Sequence, residues 1–212
     1  MHWRLHRTRN IIKPKLLLAL DFLRNFIFRK FHLSDTKRWI NEESLKAGWE
    51  ERNAIIASHI SKGASVIDLG CGKMTLRKFL APECTYQPVD IVKRSPDCIV
   101  CNFNKKQLPQ RAKYDYVVCS GLLEYIHDLP SFISGIQSYA NTFIITYSTM
   151  EYFPSKSLRA RNGWVNTLTD EDIISLITKT GAQISHKETI YSNQTLYVFT
   201  QQGISLNTCK PL

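Results

Sequence analysis

The stretch ASVIDLGCGKMTLRKFL, residues 64–80, constrains the fold more than any other part of the chain. Its apolar start is typical of a buried strand, and its end has the spacing of a short helix. Between them, Gly70-Cys71-Gly72 forms a turn that carries almost no side chain. Glycines at such a turn let the backbone pass close to a ligand, so the stretch predicts a strand, a ligand-binding turn and a helix.

Short apolar runs alternate with amphipathic segments along the rest of the chain. Strands are predicted at 64–69, 84–91, 98–101, 114–120, 142–148, 182–188 and 195–201. Helices are predicted at 11–31, 42–61, 74–81, 128–140 and 169–180, the last with Thr169 as its N-cap. This alternation predicts an α/β fold with a doubly wound, mostly parallel seven-stranded sheet. The last two strands follow each other through Ser192-Asn193 without a helix, which predicts an antiparallel C-terminal hairpin.

The positive charge of the chain is concentrated at its N-terminus. Residues 1–39 hold ten Lys and Arg against two Asp, a net charge of +8 out of +10 for all 212 residues. Their apolar residues follow the spacing of one helical stripe: Ile12, Leu16, Leu20, Leu23, Ile27 and Phe31. Pro14 is expected in the first turn of that helix. We therefore divide the chain into a basic amphipathic arm (1–39), a folded domain (40–202) and a loose tail (203–212).

The arm has three alternative roles at this stage. Its basic and aromatic residues suit the surface of an anionic membrane. The same charges could follow the phosphates of a nucleic acid, which is the less favoured partner. Alternatively, the apolar stripe packs on the folded domain or on a second subunit. The sequence does not predict an oligomeric state.

The cysteines and hydropathy indicate the compartment. Six scattered cysteines, several within apolar runs, predict a reduced intracellular protein. Cys98 and Cys101 form a CxxC pair without a second ligand pair, so no metal site is predicted. No apolar run reaches the ~18 residues of a membrane span. We expect a cytoplasmic protein, peripheral at a membrane if the arm binds lipid; the Arg-rich start also matches an organelle transit peptide.

Two acidic residues lie beside the predicted ligand site. A dinucleotide fingerprint would need a third glycine at position 75, where the chain has Thr75. Asp68, at the end of the first strand, can accept a hydrogen bond from a cation or an ammonium group. Asp90, about 20 residues after the turn, is placed for a ribose diol. The alternatives are a strand-end cap for Asp68 and an ordinary turn residue for Asp90.

Several motifs together resemble a known family. VIDLGCGKMTLRKFL, PVDIV, CNFNKKQLP, YDYVVCSGLLEYIHDLPSFI and RNGWVNTLTDEDIISLITKTGAQI are similar to segments of class I S-adenosylmethionine-dependent methyltransferases in their small single-domain form. The resemblance covers roughly residues 45–201. It implies a Rossmann-like sheet, S-adenosylmethionine as cofactor and methyl transfer as the reaction.

The resemblance also implies roles for single residues. The implied cofactor-binding residues are Asp68, Gly70, Cys71, Gly72, Asp90, Ile91, Asn102, Phe103, Ser120, Gly121 and Leu122. Asp68 would lie near the amino group of the methionine moiety, and Asp90 would hold the ribose hydroxyls. Asn102 stands beside adenine, where the family usually has an acidic residue. Residues 120–122 would close over the cofactor.

Two departures from the family pattern keep a non-catalytic scaffold open as an alternative. Gly121 and Tyr125 stand where members often have Glu and His. Only seven residues separate Asp90 from Cys98, too few for the usual crossover helix, which predicts an open adenine side. Three residues near strand ends are candidates for a catalytic base: His127, Tyr125 and Tyr147.

The acceptor is predicted from the remaining loop residues. Trp164 and Asn166 suit a sugar or another polar ring if they face the cofactor mouth, although Trp164 could equally serve packing. Arg159 and Arg161 suit a phosphate or carboxylate unless they are solvated. CSGLLEY after the fourth strand differs from the motif of base amino-methylases. We expect O- or N-methylation of a small-molecule, sugar or lipid-linked acceptor, with an RNA methyltransferase as a further alternative.

Overall fold

The computed structural model describes residues 3–41, 45, 49–190 and 194–201. Six α-helices are present in this part of the chain: α1 Trp3–Lys30, α2 Thr36–Ile40, α3 Trp49–Ser58, α4 Leu129–Ile136, α5 Lys156–Arg161 and α6 Asp170–Thr178. Seven strands are present in the same part of the chain: β1 Ser65–Leu69, β2 Thr85–Asp90, β3 Ile99–Val100, β4 Tyr116–Ser120, β5 Thr142–Tyr147, β6 Ala182–Ile190 and β7 Gln194–Gln201. Short 3₁₀ helices lie at Thr75–Lys78, Phe103–Lys105 and Leu123–Tyr125.

All seven strands join one sheet in the order β3-β2-β1-β4-β5-β7-β6. The first five strands are parallel to one another, whereas β7 is antiparallel to both β5 and β6. The α/β class, the mostly parallel sheet and the C-terminal hairpin are therefore confirmed. The order of the strands reverses between β1 and β4, and ligands of doubly wound sheets bind at such a point.

The core lies on both faces of the sheet, because successive side chains of a strand point to opposite faces. In β1, Ile67 faces the layer formed by α4 and α6, and Val66 faces the layer formed by α3. Ile136 of α4 belongs to the first layer and Ile56 of α3 to the second. This two-sided burial explains why these strands are continuous apolar runs in the sequence.

The helices agree less closely with the predictions. In α6, Thr169 and Asp172 form a capping box, so the predicted N-cap is confirmed. The helix predicted at 74–81 is only the 3₁₀ turn Thr75–Lys78. One continuous helix at 42–61 is also wrong, because Leu45 lies in a bend and α3 covers only Trp49–Ser58. Residues 42–44 and 46–48, like the hairpin turn and the tail, lie outside the described residues.

Helix α1 forms most of the arm and contacts the folded domain through α5. The side-chain amide of Asn25 donates a hydrogen bond to the carbonyl of Ala160 at 3.0 Å. Pro14 lies in the helix interior and not in its first turn, since α1 begins at Trp3. An interior proline removes one backbone hydrogen bond and crowds the carbonyl four residues before it, which explains why the sequence favours Pro14 in a first turn. In the described part of the chain, no helix meets the length and apolarity needed to cross a membrane.

Candidate active site

A cavity opens at the carboxyl ends of β1 and β4, where the strand order reverses. All eleven residues of the predicted cofactor-binding set line it. It contains about 1060 Å³ of space that is free of atoms, its open mouth included. The arm forms part of its wall through Phe28, Leu33, Ser34, Asp35 and Trp39. The sequence thus predicted the floor of the cavity, whereas the structure adds the arm as its cover.

The glycine turn after β1 has a backbone shape that favours glycine. Gly70 has φ +77°, and a Cβ there would lie 3.0 Å from Leu122 Cδ1. Gly72 has φ +52°, and its N–H donates to Asp90 Oδ2 at 2.9 Å. A side chain at either position would be strained. The two glycines therefore both set the shape of the loop and keep the cavity open.

Asp68 lies at the bottom of the cavity and is only 3% exposed. Tyr86 donates its hydroxyl to Asp68 Oδ2 at 2.6 Å, while Oδ1 is buried without a hydrogen-bond partner among the described residues. Burial raises the pKa of Asp68 to about 7, with a further increase from nearby Asp90, against the opposing effects of the Tyr86 hydrogen bond and Arg52. This unmet acceptor is suited to a cationic group of a ligand.

Asp90 already accepts hydrogen bonds from the loops around it. Its carboxylate accepts from the N–H groups of Gly72 and Val92, each at 2.9 Å. Arg94 Nη2 lies 3.5 Å from Asp90 Oδ1 and donates to the carbonyl of Trp39 at 2.8 Å. A carboxylate offers about four acceptor positions. Asp90 therefore ties the turn to the arm and retains capacity for ligand hydroxyls.

The adenine side predicted to be open is covered by the arm. Ser34 donates its hydroxyl to Asn102 Oδ1 at 2.8 Å, and the N–H of Asn104 donates to the same oxygen at 3.1 Å. The oxygen expected to receive an adenine amine is thus already engaged. No helix lies between β2 and β3, as the short connection predicted, and the arm segment after α1 lies there instead.

His127 lines the cavity beside the arm. Its Nε2 lies 2.9 Å from the carbonyl oxygen of Leu33, which can only accept, so Nε2 carries the proton. Its Nδ1 is buried and has no hydrogen-bond partner in the described part of the structure. Burial lowers the pKa of His127, and nearby His32 and Arg29 lower it further, although the Leu33 contact opposes them. A neutral ring with an unused Nδ1 can accept a proton.

The two tyrosine candidates occupy different environments. Tyr125 lines the cavity, and burial raises its pKa to about 12, so its phenol stays neutral near pH 7. Its hydroxyl accepts a hydrogen bond from Trp164 Nε1 at 3.0 Å. Tyr147 is fully buried away from the cavity lining, and its hydroxyl donates to Asn166 Oδ1 at 2.5 Å. The structure therefore does not bring Tyr147 to the cavity, because it is held in an internal hydrogen-bond network.

Arg159 is part of that internal network and does not face an acceptor. It is 1% exposed, and its guanidinium donates to the carbonyl of Ser148 at 2.7 Å and the hydroxyl of Tyr147 at 2.8 Å. Trp164 packs on Arg159, with the guanidinium carbon 4.7 Å from the ring centroid. Asn166 donates to the carbonyl of Leu123 at 2.7 Å. These residues hold the loop that follows α5 in position. Two other residues of that loop, Gly163 and Val165, line the cavity.

Arg159→Lys is expected to lower the free energy of unfolding by about 2 kcal/mol. Lysine keeps the charge but lacks the planar guanidinium group, which donates to several acceptors at once. The measurement is urea denaturation of the full chain. Arg161→Lys, at an exposed position on the same helix, is the matched control and should change stability by less than about 0.5 kcal/mol. Equal stability of the two variants would contradict the bracing role.

Arg52 and Glu124 are buried charged residues that the sequence analysis missed. Arg52 lines the cavity, donates to Gln194 Oε1 at 3.0 Å and lies over the Trp49 ring. It fills the space beside Gly121, where a Cβ would lie 2.8 Å from Nη1. Glu124 accepts from the N–H of Ser148 at 2.9 Å, and burial raises its pKa. The spacing of Trp49, Arg52 and Ile56 was the available signal, since it places Arg52 on a buried helix face.

Comparisons with known proteins agree with this geometry. A family model described as a methyltransferase domain matches residues 38–187. No curated protein matches the sequence. The pyocyanin biosynthetic protein PhzM superposes with a TM-score of 0.60 at 13% identity, over 75% of this chain and 56% of PhzM. The chain therefore spans little more than half the length of that protein.

Two further solved structures have the same fold. The O-methyltransferase NcsB1 from neocarzinostatin biosynthesis, in complex with S-adenosylmethionine and 2-hydroxy-5-methyl naphthoic acid, superposes with a TM-score of 0.60 at 12% identity, over 87% of this chain and 69% of NcsB1. A complex of the Haloferax volcanii Trm112 methyltransferase activator and a methyltransferase gives 0.65 at 13% identity, over 80% and 96%. Since the family model covers most of the chain, the chain belongs to the methyltransferase domain family.

Proposed function

We propose that the cavity binds S-adenosylmethionine and that the protein methylates a hydroxyl or amine of a small-molecule, sugar or lipid-linked acceptor. The observation that carries the proposal is the unpartnered Asp68 Oδ1 beneath the glycine turn. A buried carboxylate oxygen of this kind fits the amino group of a methionine moiety. NcsB1, which has the same fold, was solved with this cofactor and an aromatic hydroxy acid.

The cavity residues fit the other parts of the cofactor. Asp90 has acceptor capacity left for ribose hydroxyls. Ile91, Phe103 and Leu122 supply apolar surface for adenine. When bound, the cofactor supplies an electrophilic methyl group on a positively charged sulfur. The protein then has to align the acceptor with that methyl group and exclude water.

His127 is our candidate for the base. Its Nδ1 is free to take the proton that a hydroxyl or amine acceptor loses, while Nε2 stays bound to the carbonyl of Leu33. Tyr125 has a phenol that stays neutral, so it suits a hydrogen bond to the acceptor better than proton removal. Leu33 and Ser34 of the arm line the cavity and thereby limit access of water on that side.

Binding of S-adenosylmethionine is expected to depend on pH, with the highest affinity at about pH 7–8. Below pH 7 the raised pKa of Asp68 leaves its carboxyl protonated, so affinity should fall by up to about tenfold per pH unit. Above about pH 8 the α-amino group of the ligand loses its charge. Calorimetric titration of the full chain between pH 5 and 9 measures the fall in affinity on both sides of the optimum. Absence of binding at every pH would refute the proposed function.

The acceptor class is tested with the same protein. Formation of S-adenosylhomocysteine is measured with separate polar-metabolite, lipid and RNA fractions of a cell extract. Product with the polar or lipid fraction supports the proposal. Product only with RNA, abolished by ribonuclease, would replace it with the RNA alternative.

A further inference from the structure

The outward face of α1 carries large apolar side chains that the folded domain does not cover. From Leu16 onwards, the stripe identified in the sequence is exposed, with Leu16 at 58%, and Phe26 beside it is 63% exposed. The exposed apolar residues of the helix are Leu16, Leu17, Leu20, Phe22, Leu23, Phe26 and Ile27. A contiguous surface of this kind marks an interaction site.

The opposite side of the same helix holds it on the domain. Leu18, Asp21, Arg24, Asn25 and Phe28 are half-buried there, and Asn25 hydrogen-bonds to Ala160 of α5. At about 100° per residue, Leu18, Asp21 and Asn25 lie across the helix from the stripe, and Arg24 and Phe28 lie at the border between the two faces. An amphipathic helix normally packs on its own domain through its apolar face. Here the more polar face does so, which leaves the apolar face available to another surface.

The charges of the arm indicate what that surface is. Arg29, Lys30 and Lys37 are exposed at the end of α1 and in α2. Both acidic residues of the arm are engaged by its own chain, Asp21 with Arg24 at 3.5 Å and Asp35 as the N-cap of α2. With a net charge of +8 in residues 1–39, two copies of the arm would repel each other. Anionic lipid is the occupant that matches both the apolar face and the charge.

The same arm leads directly into the cavity wall. Phe28 of α1 and the residues that follow it, Leu33 and Ser34, line the cavity. We propose that the arm docks on an anionic membrane surface and presents the cavity to an amphiphilic acceptor held in that membrane. The acceptor part rests on the proposed methyl transfer, whereas membrane docking stands on the exposed face and charge alone.

The test compares the full chain with the triple variant Leu20→Glu, Leu23→Glu, Phe26→Glu. Co-sedimentation is measured with phosphatidylcholine vesicles, with and without phosphatidylglycerol. We expect binding to the anionic vesicles that weakens at high salt, and a loss of about tenfold or more in the triple variant. Phe79→Glu, at an exposed apolar residue outside the arm, is the matched control and should bind like the original chain.

Further measurements separate the proposals. S-adenosylmethionine affinity should be unchanged in the triple variant, because none of its three residues lines the cavity. Normal cofactor binding without vesicle binding would overturn the membrane proposal and leave the proposed function standing. Two other results would also overturn the membrane proposal: a dimer that light scattering detects and that the triple variant abolishes, or equal vesicle binding by both proteins. S-adenosylhomocysteine formed from a vesicle-bound lipid fraction, and reduced in the triple variant, supports the amphiphilic acceptor.

Discussion

Asp68→Asn is expected to lower the affinity for S-adenosylmethionine by about a hundredfold. The variant keeps the size of the side chain and an oxygen for the Tyr86 hydroxyl, but it removes the negative charge beneath the glycine turn. A buried hydrogen bond between charged partners is worth about 3 kcal/mol, which corresponds to roughly that factor. Calorimetric titration at pH 7.5, about the expected optimum, measures the change. Asp97→Asn, at an exposed aspartate away from the cavity lining, is the control.

The pH dependence of the same variant distinguishes a lost contact from a damaged fold. Because the folded protein holds the pKa of Asp68 near 7, above its ordinary value of 3.8, the original chain should lose free energy of unfolding as pH rises between about 4 and 7. Asp68→Asn should lack this loss and should also lack the acidic limb of cofactor binding. Near-normal affinity in a folded Asp68→Asn variant would show that the amino group is held elsewhere.

The strands were predictable because their sequence pattern and their environment agree. The central parallel strands β1, β4 and β5 are buried on both faces, so each is an apolar run bounded by turn residues. The capping box of α6 was predictable for the same reason, since it depends on residues three apart in the chain. The missed α5 is a six-residue helix with little apolar periodicity. Short helices depend on tertiary contacts that the local pattern does not contain.

It was predictable from backbone position alone that the residues of the predicted cofactor-binding set line one cavity. Residues that follow parallel strands meet at one edge of the sheet, so the loops after β1, β2, β3 and β4 share a cavity. Side-chain roles that depend on distant neighbours were not predictable. Tyr147 and Arg159 contact each other and the loop around Asn166, which satisfies groups that the sequence suggested were free.

The arm shows a further limit of periodicity. Its spacing correctly groups Leu16, Leu20, Leu23 and Ile27 on one face of a helix. Spacing does not say what that face contacts. Only the position of α1 on α5, through Asn25, shows that the apolar face points away from the domain.

His127→Gln is expected to lower kcat for methyl transfer by about a hundredfold or more, the usual range for loss of a positioned general base. Glutamine can still donate to the carbonyl of Leu33, so the contact with the arm is preserved, but it cannot take a proton near neutral pH. Affinity for S-adenosylmethionine should change little, because the change removes proton transfer and not a cofactor contact. Single-turnover and steady-state rates with the identified acceptor measure the effect.

The pH profile of kcat separates a catalytic role from a structural one. The acidic limb of the original chain should lie below the ordinary histidine value of 6.5, because burial lowers the pKa of His127, and the variant should lack this limb. His32→Gln is the matched control, since the two rings lie 5.6 Å apart and His32 is exposed. A kcat within about threefold of the original in His127→Gln would assign His127 to holding the arm. The acceptor would then need no base, as expected for a group that reaches the cavity already deprotonated.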